Sequence, residues 1–128
     1  MEKEQIINYL NKYDFKYSVN SEIITVNLDF AQKIFIDFSQ INKVKIYDKL
    51  TGWNFLTGLM VMSLKNAMIY NFIGGLIIGI LFLILQFQNS EINLIPIFLM
   101  FMFWVLLFTL YYLIKLEGFK TQIMNLKS

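Results

Sequence analysis

The chain has 128 residues, of which 57% are hydrophobic, and a mean hydropathy of +0.56. This is more apolar than an average soluble domain, in which roughly 45–50% of the residues are apolar. The formal net charge of +2 is too small to favour a nucleic-acid partner, and the lack of cysteine and histidine excludes thiolate and imidazole chemistry. We therefore predict no catalytic residue, no cofactor and no metal site, and a chain that is not an enzyme.

Residues 1–52 carry the patterns of a small α+β module. Three apolar residues of the stretch 2–12 recur at helical spacing, which predicts a short amphipathic helix. They are Ile6, Ile7 and Leu10. Beyond this helix, apolar and polar residues alternate in four successive runs, which is typical of half-buried strands. We predict a four-stranded antiparallel meander whose apolar face the helix covers, and we expect this module to be cytosolic.

The register of the meander follows from parity. Residues that oppose each other in an antiparallel pair lie on the same face, so the apolar residues of neighbouring strands must be aligned. The first hairpin is then closed by a two-residue turn at Asn20 and Ser21. The predicted pairs are Tyr17 with Ile24, Phe30 with Ile34, and Ile36 with Ile46, the last of which sets Phe35 beside Tyr47 and Asp37 beside Lys45.

Lysines and aromatic residues share the opposite face of the predicted sheet. They are Lys33, Phe35, Lys45, Tyr47 and Lys49. Two interpretations stay open: the face is solvated, or it rests on anionic lipid headgroups or on a partner, since each lysine near an anionic surface contributes about 1 kcal/mol. Trp53 suits a membrane interface and is grouped with this surface.

Residues 53–66 connect the module to the first long apolar run. Apolar residues recur at helical spacing from Leu56 to Ala67. The segment is therefore predicted to be helical, either lying along the cytoplasmic membrane surface or extending the first span.

Two long uncharged runs, 67–87 and 94–114, dominate the second half of the chain. A helix needs about 20 residues to cross a bilayer core, so each run is long enough to span. Residues 88–93 are too few to hold a domain, and we predict an antiparallel transmembrane hairpin. The tail, 115–128, is expected to begin as a helix and to fray after Gly118.

The charges predict the orientation of this hairpin. All 11 basic residues are lysines that lie before the first run or after the second, whereas the loop 88–93 carries only Glu91. By the positive-inside rule, both termini are cytoplasmic and the loop is outside. A lysine-only composition rich in asparagine, isoleucine and phenylalanine favours a bacterial source, and hence the cytoplasmic (inner) membrane.

Small and polar residues within the two runs are candidates for helix packing. Gly75 and Gly79 form a GxxxG motif with Gly74 beside it, which lets a neighbouring helix approach closely. Three roles stay open for the motif: packing against the second run, self-association of the chain, and no specific role. Asn71 is predicted to hydrogen-bond to Thr109 or to Tyr112, because polar groups at depth usually face protein.

Two functions are compatible with these features. The first is a small bacterial membrane protein that acts as a non-enzymatic subunit or regulator of a membrane complex, its cytosolic module binding a partner or the membrane surface. The alternative is an oligomeric pore-forming or channel-like effector that the module gates. The expected partners are the lipid bilayer and either further copies of the chain or another membrane protein, not nucleic acid.

Overall fold

Three helices and one four-stranded sheet make up the fold. The computed structural model describes residues 3–89 and 91–126. The sheet is antiparallel with the strand order β1-β2-β3-β4, which confirms the predicted α+β class and the meander. In chain order the elements are α1 (Lys3–Lys12), β1 (Lys16–Asn20), β2 (Ile23–Asn27), β3 (Gln32–Gln40), β4 (Lys43–Leu50), α2 (Leu64–Gln88) and α3 (Ile95–Asn125).

The third hairpin has the predicted register. Ile36 lies opposite Ile46, which brings Phe35 beside Tyr47 and Asp37 beside Lys45. Closer to the turn, a bulge between Asp37 and Gln40 shifts the register.

The first two hairpins differ from the prediction. Tyr17 pairs with Val26 instead of Ile24, and Ile34 also pairs with Val26 instead of Phe30. The partner changes by two residues in the first hairpin and by four in the second. A change by an even number leaves every side chain on the same face, so parity could not separate these registers. The backbone decides: the first turn falls one residue later, with Ser21 at a φ of 52°, and Phe30 leaves the ladder with a φ of 56°.

The inner face of the sheet forms the core. Ile24, Val26, Ile34 and Ile36 are all fully buried there. Helix α1 covers part of this face, as predicted, with two buried residues, Ile6 and Leu10.

The end of α3 covers the rest of the inner face, which corrects the prediction that the chain frays after Gly118. The helix continues to Asn125 and buries Leu116, Phe119 and Ile123. Glycine within a helix costs about 1 kcal/mol, whereas burying a large apolar side chain contributes about 1.5–3 kcal/mol. The stabilisation from burying these side chains therefore exceeds the cost of Gly118 in the helix.

Residues 51–63, the connecting loop, are neither a surface helix nor an extension of the first span. They form a compact turn-rich segment, and α2 begins only at Leu64. Two side chains fix this start: the hydroxyl of Ser63 accepts a hydrogen bond from the N–H of Asn66 at 3.3 Å, and the carboxylate of Asp48 accepts one from the N–H of Leu64 at 2.8 Å. The helix N-terminus is thus tied to strand β4.

Helices α2 and α3 run antiparallel, and each is long and apolar enough to cross a membrane by length and composition. Only 6% of the most apolar window of each helix is buried. The core helix of a soluble protein would instead be mostly buried. We refer to α2 and residues 95–114 of α3 as the helical pair.

Replacement of Phe119 by alanine tests whether the end of α3 is part of the core. The Phe119 ring is 3% exposed and lies 5.4 Å from the ring of Phe15, so its loss should lower the free energy of unfolding by about 3–5 kcal/mol. Urea unfolding in mild detergent, followed by near-ultraviolet circular dichroism, measures this. Met124→Ala is the control, since Met124 is 64% exposed, and equal stability of the two variants would contradict the packing.

Candidate functional site

The outer face of the sheet presents a stacked aromatic pair surrounded by lysines. The rings of Phe35 and Tyr47 lie 5.1 Å apart and within 8° of parallel. The ammonium of Lys49 lies 5.9 Å from the centre of the Phe35 ring, within the range of a cation–π contact. The two rings share one face, so they form a flat apolar patch at its centre.

The lysines around this patch have no ion-pair partner among residues 3–89 and 91–126. Lys33 is directly opposite Lys49, and like charges at opposed positions repel each other. The same row continues through Asn27 to Lys16, which sequence reasoning missed. The alternation that placed Phe15 and Tyr17 inside also placed Lys16 outside, so the signal was present. We call Lys16, Lys33, Phe35, Lys45, Tyr47 and Lys49 the lysine face.

Asp37 is the acid on this side of the sheet, and it is engaged locally. Its carboxylate accepts a hydrogen bond from the backbone N–H of Ser39 at 2.8 Å. Hydrogen bonding by the side chain and the backbone of Ser39 holds the pKa of Asp37 below its ordinary range, and the charge of Lys45 lowers the pKa further. No ion pair between Asp37 and Lys45 forms within 4 Å, so Lys45 stays available to an outside anion.

Trp53 is not part of the lysine face. It lies in the connecting loop, where its ring centre is 4.9 Å from that of Phe55. Its side chain is 65% exposed. The other five residues of the surface predicted from the sequence lie on strands β3 and β4.

The GxxxG motif faces the second helix of the same chain. A Cβ atom on Gly75 would lie 3.1 Å from the side chain of Met102, and one on Gly79 would lie 3.1 Å from the ring of Phe98. Gly74 points into open space, with no heavy atom within 4 Å of such a Cβ. Two of the three glycines thus make close contacts within the helical pair.

The predicted hydrogen bond between the two helices is wrong. The side-chain amide of Asn71 donates to the carbonyl of Leu56 in the connecting loop at 3.1 Å and to that of Ala67 at 2.8 Å. The hydroxyl of Thr109 donates to the carbonyl of Val105 in its own helix at 2.7 Å. A threonine hydroxyl in a helix can donate to the carbonyl one turn earlier, so Thr109 needs no partner on the other helix. The carbonyl of Leu56 lies outside a helix and takes its hydrogen bond from Asn71.

A cluster of polar contacts joins the sheet to α3 where the sheet meets the helical pair. Asp29 lies in the loop between β2 and β3, and its carboxylate is 2.8 Å from the ammonium of Lys115. The same oxygen accepts a hydrogen bond from the hydroxyl of Tyr111 at 2.8 Å. Nearby, the buried side chain of Gln32 donates to the carbonyl of Tyr112 at 3.1 Å. We call this cluster the junction.

The sequence gives no local signal for the junction, because its partners lie 80 or more positions apart. Hydrogen bonds from Lys115 and then from Tyr111 hold the pKa of Asp29 below its ordinary range. The same contact with Asp29 raises the pKa of Lys115. Each group therefore stabilises the charged form of the other at neutral pH.

Within residues 3–89 and 91–126 there is no group of three or more histidine, cysteine, aspartate or glutamate side chains that could hold a metal ion. What the lysine face offers is fixed positive charge around an apolar centre, an arrangement that suits an anionic surface.

No protein-family model, no curated protein and no solved structure matches the chain.

Replacement of Gly79 by leucine should force the two helices apart. The added side chain would collide with the ring of Phe98, and overpacking of this kind costs about 1–3 kcal/mol. Thermal unfolding in detergent should show a lower midpoint for Gly79→Leu. The matched control is Gly74→Leu, which enters open space and should leave the midpoint unchanged or slightly higher; the reverse order would contradict the packing.

The junction should be visible in the titration of Asp29. Since its pKa is lowered in the folded chain, the contact stabilises the fold above the ordinary carboxyl pKa of about 3.9, and this stabilisation is lost as the pH falls through the lowered value. The gain should be below about 1 kcal/mol because the pair is half exposed. Carboxyl-carbon NMR measures the pKa directly.

Lys115→Gln should bring the pKa of Asp29 back towards its ordinary value. Lys120→Gln is the control, since Lys120 pairs with Glu117 instead. An Asp29 that titrates identically in both variants would show that the junction does not form.

Proposed function

We propose that the chain is a two-pass protein of the bacterial cytoplasmic membrane that acts as a non-enzymatic subunit or regulator of a membrane complex. In this proposal both termini and the sheet module, residues 3–50, face the cytoplasm, and residues 88–93 face outside. The lysine distribution supports this orientation. The two long apolar helices with exposed surfaces support membrane insertion.

The observation that carries the proposal is the lysine face. Four lysines without ion pairs in the described chain surround a stacked aromatic pair. Buried interface centres are rich in aromatic residues, and charged rims set orientation and partner choice. The face points away from α1 and α3, so it is free to receive an acidic surface of another subunit.

The pore alternative has less support. A homo-oligomeric pore needs a surface by which helices of different copies associate, and the glycines predicted to supply it pack within the chain against Met102 and Phe98. We therefore place the docking role first.

Photo-crosslinking tests the proposal in membranes of the native host. A benzoylphenylalanine at position 47 replaces a residue of the lysine face with a reactive ring of similar shape. We expect it to form a crosslink to one protein of defined mass, and we expect Lys33→Glu, Lys45→Glu and Lys49→Glu together to abolish that crosslink by charge repulsion.

The same probe at position 13 is the control, because Tyr13 is 56% exposed but lies outside the lysine face. Crosslinking to lipid alone would assign the face to the membrane surface and overturn the partner. A position-47 crosslink that survives the three substitutions, or its absence altogether, would remove the lysine face from the function.

A further inference from the structure

The connecting loop has the composition of a membrane-facing segment. It carries no charge, and the nearest charged residues on either side are Lys49 and Lys65. Four large apolar side chains of the loop are half exposed or more: Trp53 at 65%, Leu59 at 80%, Met60 at 50% and Val61 at 58%. A loop in water is normally rich in polar residues, so this exposed apolar surface calls for an apolar neighbour.

Two polar side chains of the loop, those of Asn54 and Thr57, point inward and bond to each other. Asn54 and Thr57 are 3% and 8% exposed. The carbonyl oxygen of the Asn54 side chain accepts from the N–H groups of Leu56 and Thr57 at 3.1 and 2.8 Å. The side-chain amide of Asn54 donates to the hydroxyl of Thr57 at 2.5 Å, and that hydroxyl donates to the carbonyl of Met60 at 2.8 Å.

Backbone groups around Asn54 are also paired. Asn54 and Gly58 exchange two N–H···O=C bonds, each of 3.0 Å. The carbonyl of Leu56 accepts a hydrogen bond from the side-chain amide of Asn71 in α2. Irregular backbone is tolerated at membrane depth where its polar groups are paired and shielded by protein, and the bonds at Asn54, Leu56 and Gly58 are of this kind.

Ring contacts set the depth of the loop along α3. The ring of Phe55 lies 4.3 Å from that of Phe108 and 5.5 Å from that of Trp104. Phe108 precedes Ile114, the last residue of the apolar run, by six positions, which is about 9 Å of helix rise. Asn71 follows Ala67, the first residue of the other apolar run, by four positions, which is about 6 Å.

The lengths of the two spans argue against an arrangement in which the whole loop lies outside the hydrocarbon core. If the hydrocarbon began only after Asn71 and Phe108, the two spans would be residues 72–87 and 95–107. These would measure about 24 and 20 Å, whereas a bilayer core is about 30 Å thick. Both helices match the full thickness of the core when the loop lies within its cytoplasmic edge.

We infer that the connecting loop is a third membrane contact, inserted into the cytoplasmic leaflet, with Trp53, Leu59, Met60 and Val61 against lipid acyl chains. The inference rests on the membrane insertion in the proposed function and adds a site to it. The depth of about 6–9 Å agrees with the roughly 5–10 Å to which the apolar face of an amphipathic segment is buried at the boundary between headgroups and acyl chains. Lys49 and Lys65, at either end of the loop, then lie at headgroup level.

The two tryptophans of the chain allow this depth to be measured. Trp104→Phe leaves Trp53 as the only tryptophan, and Trp53→Phe leaves Trp104. Each variant is reconstituted into phosphatidylcholine vesicles that contain lipids brominated near the carbonyl end or near the middle of the acyl chain. We expect the shallow bromines to quench most of the emission of Trp53, and the deep bromines to quench most of that of Trp104.

Two further variants complete the test, and in each of them both native tryptophans are replaced by phenylalanine so that the new tryptophan is the only one. Leu59→Trp places the probe at the most exposed apolar residue of the loop and should behave like Trp53. Ile41→Trp, in the distant β3–β4 turn where Ile41 is 92% exposed, should be quenched by aqueous acrylamide and by neither brominated lipid.

The outcomes separate this inference from the proposal on which it rests. If Trp104 is quenched by brominated lipid while the probes at 53 and 59 are quenched only by acrylamide, the protein spans the membrane and the inserted loop is overturned. If Trp104 also fails to respond to brominated lipid, the membrane insertion in the proposed function fails as well.

Discussion

The continuity of α3 is the constraint on which the rest of the structure depends. One helix of 31 residues provides an apolar surface on all sides over its first part and a single apolar stripe over its last part. The stripe packs on the inner face of the sheet, beside α1. Because no hinge separates the two parts, the sheet cannot change its distance from the helical pair without bending a helix or exposing its core.

The sequence predicts the element types and the faces of the fold because both depend on local periodicity. The alternation around Ile34, Ile36 and Ile46 is enough to place Phe35 beside Tyr47. It cannot choose between registers that differ by an even number of residues, and the positive φ of Ser21 and Phe30 decides these. Lys16 belonged to the lysine face on the same alternation and was overlooked.

The wrong or missing predictions concern contacts between residues that are far apart in the sequence or belong to different elements. Gly118 suggested the end of a helix, and the burial of Phe119 and Ile123 against a sheet formed about 80 residues earlier outweighs it. Asn71 suggested a bond between helices because polar groups at depth usually face protein, and it bonds to the connecting loop instead. The contact between Asp29 and Lys115 could not be predicted because each residue already has a local explanation. Asp29 fits a turn, and Lys115 fits the end of an apolar run.

The junction also has a rotational consequence. A sheet held only by the apolar stripe of α3 could turn about the helix axis, since apolar contacts are not directional. Asp29, bound to both Tyr111 and Lys115, adds a directional contact, and the tie between Asp48 and the start of α2 adds another on a second helix. The sheet is thus attached to both helices, and these two contacts fix the direction in which the lysine face points relative to the helical pair. In the proposed function, a subunit bound to the lysine face would therefore approach the protein from a single direction relative to the two long helices.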